Sequence, residues 1–106
     1  MKGIIWCKFS GDGGKQLDKI MNDYLRLNFE LRHRSGPPST AVFSNGDVWE
    51  VRRATDSSRG VSCNISYISY DIAPEEIDTI INPATKASPY QAFYYYNPWG
   101  ELWIIS

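Results

Sequence analysis

Residues 41–51 read AVFSNGDVWEV. Two short apolar runs, 41–43 and 48–51, flank Asn45-Gly46, the dipeptide that best tolerates the positive φ values of a type I′ turn. The segment therefore reads as a β-hairpin. In a two-residue-turn register Val42 faces Trp49 and Phe43 faces Val48, which puts apolar side chains on both faces. Such a hairpin belongs inside a sheet covered on both sides, and so in a layered α/β fold.

The flanking segments supply the layers. Residues 3–9 (GIIWCKF) read as an apolar strand, and 10–14 (SGDGG) as the glycine-rich connection that ends it. Leu17, Ile20, Met21, Tyr24 and Leu25 recur at helical spacing, with Lys19, Asn22, Asp23 and Arg26 on the other side. Ser35, Gly36, Pro37 and Pro38 then break the chain. Residues 54–60 (ATDSSRG) form a polar loop, and 61–68 (VSCNISYI) a further strand. Pro74 at a first helical position, with Glu75 and Glu76 beside the positive dipole end, starts a second helix. Ile77, Ile80 and Ile81 give it an apolar side, and Asn82-Pro83 is expected to stop it. Residues 90–96 and 101–105 flank Asn97-Pro98-Trp99-Gly100, a type I turn pattern. Period-2 geometry sends Tyr95 to the face opposite Tyr94 and Tyr96. The expected order is β-α-β-β-β-α-β-β, a single α/β domain over 1–106 with a mixed, twisted sheet and two helices.

Composition agrees with one folded domain: 106 residues, 42% of them hydrophobic and 14% aromatic, lie far from the signature of disorder. A formal charge of -1 gives no global field that would recruit nucleic acid or an anionic membrane. The apolar runs are too short to span a bilayer, and the start of the chain has no signal-peptide core. The expectation is a soluble protein of the cytoplasm. Charge is unevenly spread, however. Residues 1–60 hold ten Lys or Arg and seven Asp or Glu, about +3, and residues 61–106 hold one against five, about -4. Arg26, Arg32, His33 and Arg34 follow the first helix, and Arg52, Arg53 and Arg59 flank a later turn. They are either a basic patch or a solvated helix end and a charge-protected edge strand.

Candidate chemistry is sparse. Cys7 and Cys63, with His33 as the one histidine, give no tetrad of metal ligands, and both cysteines read as buried thiols. No third group orients a cysteine and His33 as nucleophile and base. Residues 11–16 (GDGGKQ) follow a strand and precede a helix, as a phosphate-cradling loop does, but Phe9 and Gln16 stand where a P-loop needs glycine and a hydroxyl residue. The loop Asp56-Ser57-Ser58-Arg59-Gly60 remains. Its arginine fork, two hydroxyls and loop amides suit an anion or an acidic patch, with Asn64 further in along the strand. The same residues also suit a structural role, in which Arg59 pairs with Asp56.

Residues 43–49 (FSNGDVW), 56–60 (DSSRG) and 61–71 together resemble the central segment of the phage terminase large-subunit ATPases, and loosely the resemblance covers 1–83. In that family an apolar hairpin with an asparagine-glycine turn leads to a loop ending in Arg-Gly, and the next strand ends in an acidic pair that organises magnesium and water. Here Ser69 and Tyr70 stand where the resemblance places those acids, and Asp71 comes two residues late. Without the carboxylates nothing holds magnesium or polarises water for phosphoryl transfer.

The resulting expectation is a small non-enzymatic phage or prophage protein with no cofactor and no metal, working in the cytoplasm of a bacterial host. It would bind a host or phage protein, as an inhibitor of a host defence or regulatory factor does, on a catalytically dead terminase-like core. The alternative is a binding module for a nucleotide or nucleotide-like signal. Under either reading Asp56, Ser57, Ser58, Arg59, Gly60 and Asn64 are the candidate contacts.

Overall fold

Strand β1 (Lys2–Cys7) sends Ile4 and Trp6 to one side of the sheet and Ile5 and Cys7 to the other, and all four side chains are fully buried. A strand with two apolar faces needs a layer on each, and it takes the centre of the sheet. The computed structural model describes residues 1–36, 39–55, 60–86, 92–97 and 102–104. Around β1 it sets α1 (Ser10–Arg26), β2 (Leu31–Ser35), β3 (Thr40–Phe43), β4 (Val48–Arg53), β5 (Ile65–Ser69), α2 (Pro74–Glu76), a π-helical turn (Ile77–Ile81), α3 (Asn82–Lys86), β6 (Ala92–Tyr96) and β7 (Leu102–Ile104). The fold is a single α/β domain. Its sheet runs β2-β3-β4-β1-β5-β6-β7. Strands β4, β1, β5 and β6 are mutually parallel, while β2-β3, β3-β4 and β6-β7 are antiparallel pairs.

One face packs against α1. Leu17 and Ile20 of the helix meet Ile5, Cys7, Ala41, Phe43, Trp49, Val51 and Tyr96. Gly13 lies so close to the sheet that a Cβ there would come within 2.5 Å of Val51 Cγ1. This close approach explains the first correction to the sequence reading. The glycine-rich stretch is not a connection, because Gly11, Gly13 and Gly14 are helical. The opposite face has its own core, which includes Ala54, just after β4, and Cys63, just before β5. Ala54 and Cys63 join Ile72, Ile80, Ile81 and Ala84 over Ile4, Trp6 and Ile68. Burying an isoleucine such as Ile4 or Ile68 contributes about 1.5–3 kcal/mol relative to exposing it.

Three further expectations are corrected. The hairpin register is one residue off: Ala41 faces Trp49 and Val42 faces Val48. The turn is a three-residue loop, in which Gly46 N–H donates to Phe43 O and Phe43 N–H to Asp47 O. Gly46 alone takes positive φ, +90°, whereas type I′ needs it at both central positions; this is a type I turn closed by a left-handed glycine. In this register the hairpin is apolar mainly on the α1 side. Its other face carries Thr40, Val42, Val48, Glu50 and Arg52, and Lys2 and Arg52 both pair with Glu50 there.

Residues 31–35 form an additional strand, the seventh of the sheet, and not a solvated helix end. Finally, Asn82-Pro83 does not stop the second helix. Proline lacks an N–H and crowds the carbonyl four residues back. The preceding residues widen into a π-helical turn, and Pro83 falls in the first turn of the segment that follows, where proline is tolerated.

Candidate functional site

Of the six residues singled out in the sequence, Asp56, Ser57, Ser58 and Arg59 lie outside the described residues. Gly60 takes φ of +86° and lines a cavity of about 390 Å³ between residues 60–62 and the second helical layer. Val61, Ile80, Pro83 and Ala84 give that cavity apolar walls, and Ser62 and Thr79 supply its hydroxyl-bearing side chains. Thr79 Oγ1 is already committed, donating to Glu75 O at 2.8 Å. The size is at the low end for a small-molecule site. Asn64 joins two strands. Its Oδ1 accepts from Lys2 N–H at 2.8 Å, and its own N–H donates to Lys2 O at 2.8 Å. It fastens the start of β1 to the start of β5.

The carboxyl end of β5 carries the other residues of interest. Ser69 is buried and its Oγ donates to Asp71 Oδ1 at 2.6 Å. Tyr70 points its ring to solvent, while its N–H donates to Tyr96 O at 2.9 Å. The Tyr96 hydroxyl in turn donates to Trp6 O at 2.9 Å. Burial pushes the Tyr96 phenol well above its usual range. Asp71 thus serves as the acceptor for a buried serine. No group of three or more His, Cys, Asp or Glu able to hold a metal ion occurs among the described residues.

Nucleophilic chemistry is no better served. Cys7 and Cys63 are free and buried, and they belong to the cores on opposite faces of the sheet. Burial pushes the Cys7 thiol up, against the pull of the Gly13 N–H and of Arg53, so the nucleophilic thiolate is disfavoured. His33 on β2 is three strand spacings from β1, roughly 14 Å. It cannot act as a base for either thiol. Cys63 instead joins a buried polar cluster. Trp6 Nε1 donates to Ser66 Oγ at 3.0 Å, Ser66 Oγ and Thr85 Oγ1 are 2.7 Å apart, and Thr85 Oγ1 donates to Ile81 O at 3.0 Å. Each hydroxyl has a partner, so the cluster locks α3 onto the sheet.

Among the described residues, three of the arginines are paired with acids. Arg26 pairs with Asp23 and Arg34 with Asp18, each at 3.8 Å, while Arg52 is tied to Glu50. The sequence reading missed that Arg32, His33 and Arg34 share an edge strand. The available signal was the absence of any acid between Leu31 and Gly36. No helix among the described residues is long and apolar enough to cross a membrane. No family model matches this chain, and neither a curated protein nor a solved structure does.

Proposed function

We propose that this chain is a non-enzymatic binding protein of phage or prophage type, acting on a host or phage protein in the bacterial cytoplasm. The reading includes a terminase-like core without catalysis, of use as an inhibitor of a host defence or regulatory factor. One observation carries the non-enzymatic half. Where the resemblance places a catalytic acidic pair, at the carboxyl end of β5, Ser69 is buried against Asp71 and Tyr70 faces solvent. The helical course of residues 11–14 adds to this, since no glycine loop is left there to cradle a phosphate.

The test is purification of a tagged chain from bacterial cytoplasm, with its bound species identified by mass spectrometry and its phosphate release from ATP measured with magnesium. A stoichiometric protein and release equal to a protein-free blank are expected. Turnover that survives repurification would reject the reading. A second reading, capture of a nucleotide-like signal, is favoured by the cavity beside Gly60, a residue that Asp56, Ser57, Ser58 and Arg59 directly precede in the sequence. A retained nucleotide, lost in Arg59→Lys, would establish it in place of the first.

A further inference from the structure

We propose that the free edge of β2 accepts an extended acidic segment of the partner protein as an additional strand; this deepens the protein-binding reading above by naming the surface. Strand β2 is the outermost of the sheet, and among the described residues it pairs on one side alone, with β3. All five of its residues, Leu31, Arg32, His33, Arg34 and Ser35, are exposed. An edge strand of this kind presents backbone donors and acceptors that an incoming strand can complete.

Side chains select the occupant. The strand holds two arginines and a histidine and no acid. Arg32 has no ion pair among the described residues, and the Arg34 pair with Asp18 is long, 3.8 Å, with both partners largely in water. Pairing β2 with β2 of a second copy would oppose arginine and histidine to their like, which is unfavourable. An acidic strand reverses the sign of each such contact. Nucleic acid fits less well, because the backbone donors and acceptors along the open edge of β2 call for a strand that continues the ladder, which a phosphate backbone cannot do.

An apolar component lies alongside. Leu25, Leu27 and Leu31 are 55%, 68% and 36% exposed where α1 ends and β2 begins. Arg34 Nη1 touches Met21 Sδ at 3.5 Å, so the α1 surface that carries Asp18, Met21 and Leu25 borders β2. Arg34 and Leu31 pair with Ala41 and Phe43 of the α1-facing side, so an acidic residue of the incoming strand that meets Arg34 also lies beside this apolar rim. The irregular register between Leu31 and His33 lets the edge deviate from flatness, which hinders indiscriminate pairing.

The probe is a synthetic peptide of about six residues alternating glutamate and valine, titrated into the whole chain and followed by amide NMR. Saturable shifts at residues 31–35, Leu25 and Leu27 are expected. Affinity should fall at least about tenfold in an Arg32→Glu, Arg34→Glu double variant and fall with added salt. The double variant should instead bind the lysine-valine peptide. A peptide N-methylated at alternate residues should fail on the wild-type chain, since it lacks ladder donors. Shifts elsewhere, no binding, undiminished binding to the double variant, equal binding of the N-methylated peptide, displacement by a single-stranded oligonucleotide, or dimerisation through β2 would each overturn the proposal. If the peptide fails while the double variant still retains a partner from cytoplasm, the edge is rejected and the binding reading stands. If neither form retains a partner, the binding reading itself fails.

Discussion

The Tyr24 hydroxyl donates to Asp47 Oδ2 at 2.6 Å, joining the last turns of α1 to the β3–β4 turn. The Tyr24 hydroxyl oxygen accepts from Trp49 Nε1 at 3.0 Å, and the Tyr24 ring stacks on Phe43 with centroids 4.0 Å apart. Tyr24→Phe keeps the stack and removes both hydrogen bonds. It should destabilise the fold by about 1–3 kcal/mol, read from urea denaturation, because the Trp49 N–H is left without its acceptor.

This junction also sets a pH dependence at each end of the scale. Burial pushes the Asp47 carboxyl up, but hydrogen bonds from Tyr24 and Asn45 and the ammonium of Met1, 3.3 Å away, outweigh it and hold the group below the usual carboxylate range. A depressed carboxylate stabilises the fold above its unfolded pKa, and that stability is lost as pH falls through the folded value. Tyr24 behaves oppositely. Burial and then the bond to Asp47 push its phenol up to about 12. Its contribution is present below the unfolded tyrosine pKa of about 10 and is lost as pH climbs from there towards the folded value. Denaturation midpoints of Asp47→Asn should therefore be flatter on the acid side, and those of Tyr24→Phe flatter on the alkaline side.

Gly3 lies under the indole of Trp49, and a Cβ at Gly3 would overlap the six-membered ring. Gly3→Ala should cost about 1–3 kcal/mol, as overpacking does in a closed core. Trp49→Leu in the same chain should recover part of the loss, giving a double-mutant coupling that independent sites would not show.

A Cβ added at Gly46 would meet open space, yet the backbone there has a φ of +90°. Gly46→Val should thus destabilise through backbone strain alone, by about 1–3 kcal/mol. Gly46→Asn should be milder, since asparagine tolerates the left-handed region. Equal denaturation midpoints for the two variants would contradict this account of the turn.

Ser66→Ala takes the acceptor from Trp6 Nε1 and a partner from Thr85. A loss of about 1–3 kcal/mol is expected. Thr85→Val should also destabilise, and the double variant should lose less than the two single losses combined, because the residues share one hydrogen bond.

Much of the architecture was legible because single residues left single options. Leu17, Ile20 and Tyr24 fit only a helix face, and Pro74 with Glu75 and Glu76 marked a helix start. The hairpin was legible but its register was not, since a left-handed glycine serves the three-residue loop as well as the two-residue one. Strand β2 escaped notice because an edge exposed on both faces needs no alternation of apolar and polar residues. Pro83 misled because a π-helical turn absorbs it, a response written in the packing of Ile80 and Ile81 and not in the local propensity. Of the candidate contacts, Asn64 proved to be committed to Lys2, which depends on a strand pairing 62 residues apart.

The bond from the Tyr96 hydroxyl to Trp6 O spans 90 residues of sequence. A strand translated early in this domain is thus completed by one translated late in it. β1 also waits for β4 and β5, each a parallel neighbour that must be brought back over a long loop before its contacts repay the closure entropy. On the ribosome, Ile4, Ile5 and Trp6 emerge with no sheet to enter. The nascent chain shelters them in stages, Ile5 as α1, β3 and β4 arrive and Ile4 and Trp6 as β5 and the second helical layer follow, and the bond to Trp6 O waits for the aromatic strand, so an unfinished chain leaves part of β1 open to holdase chaperones.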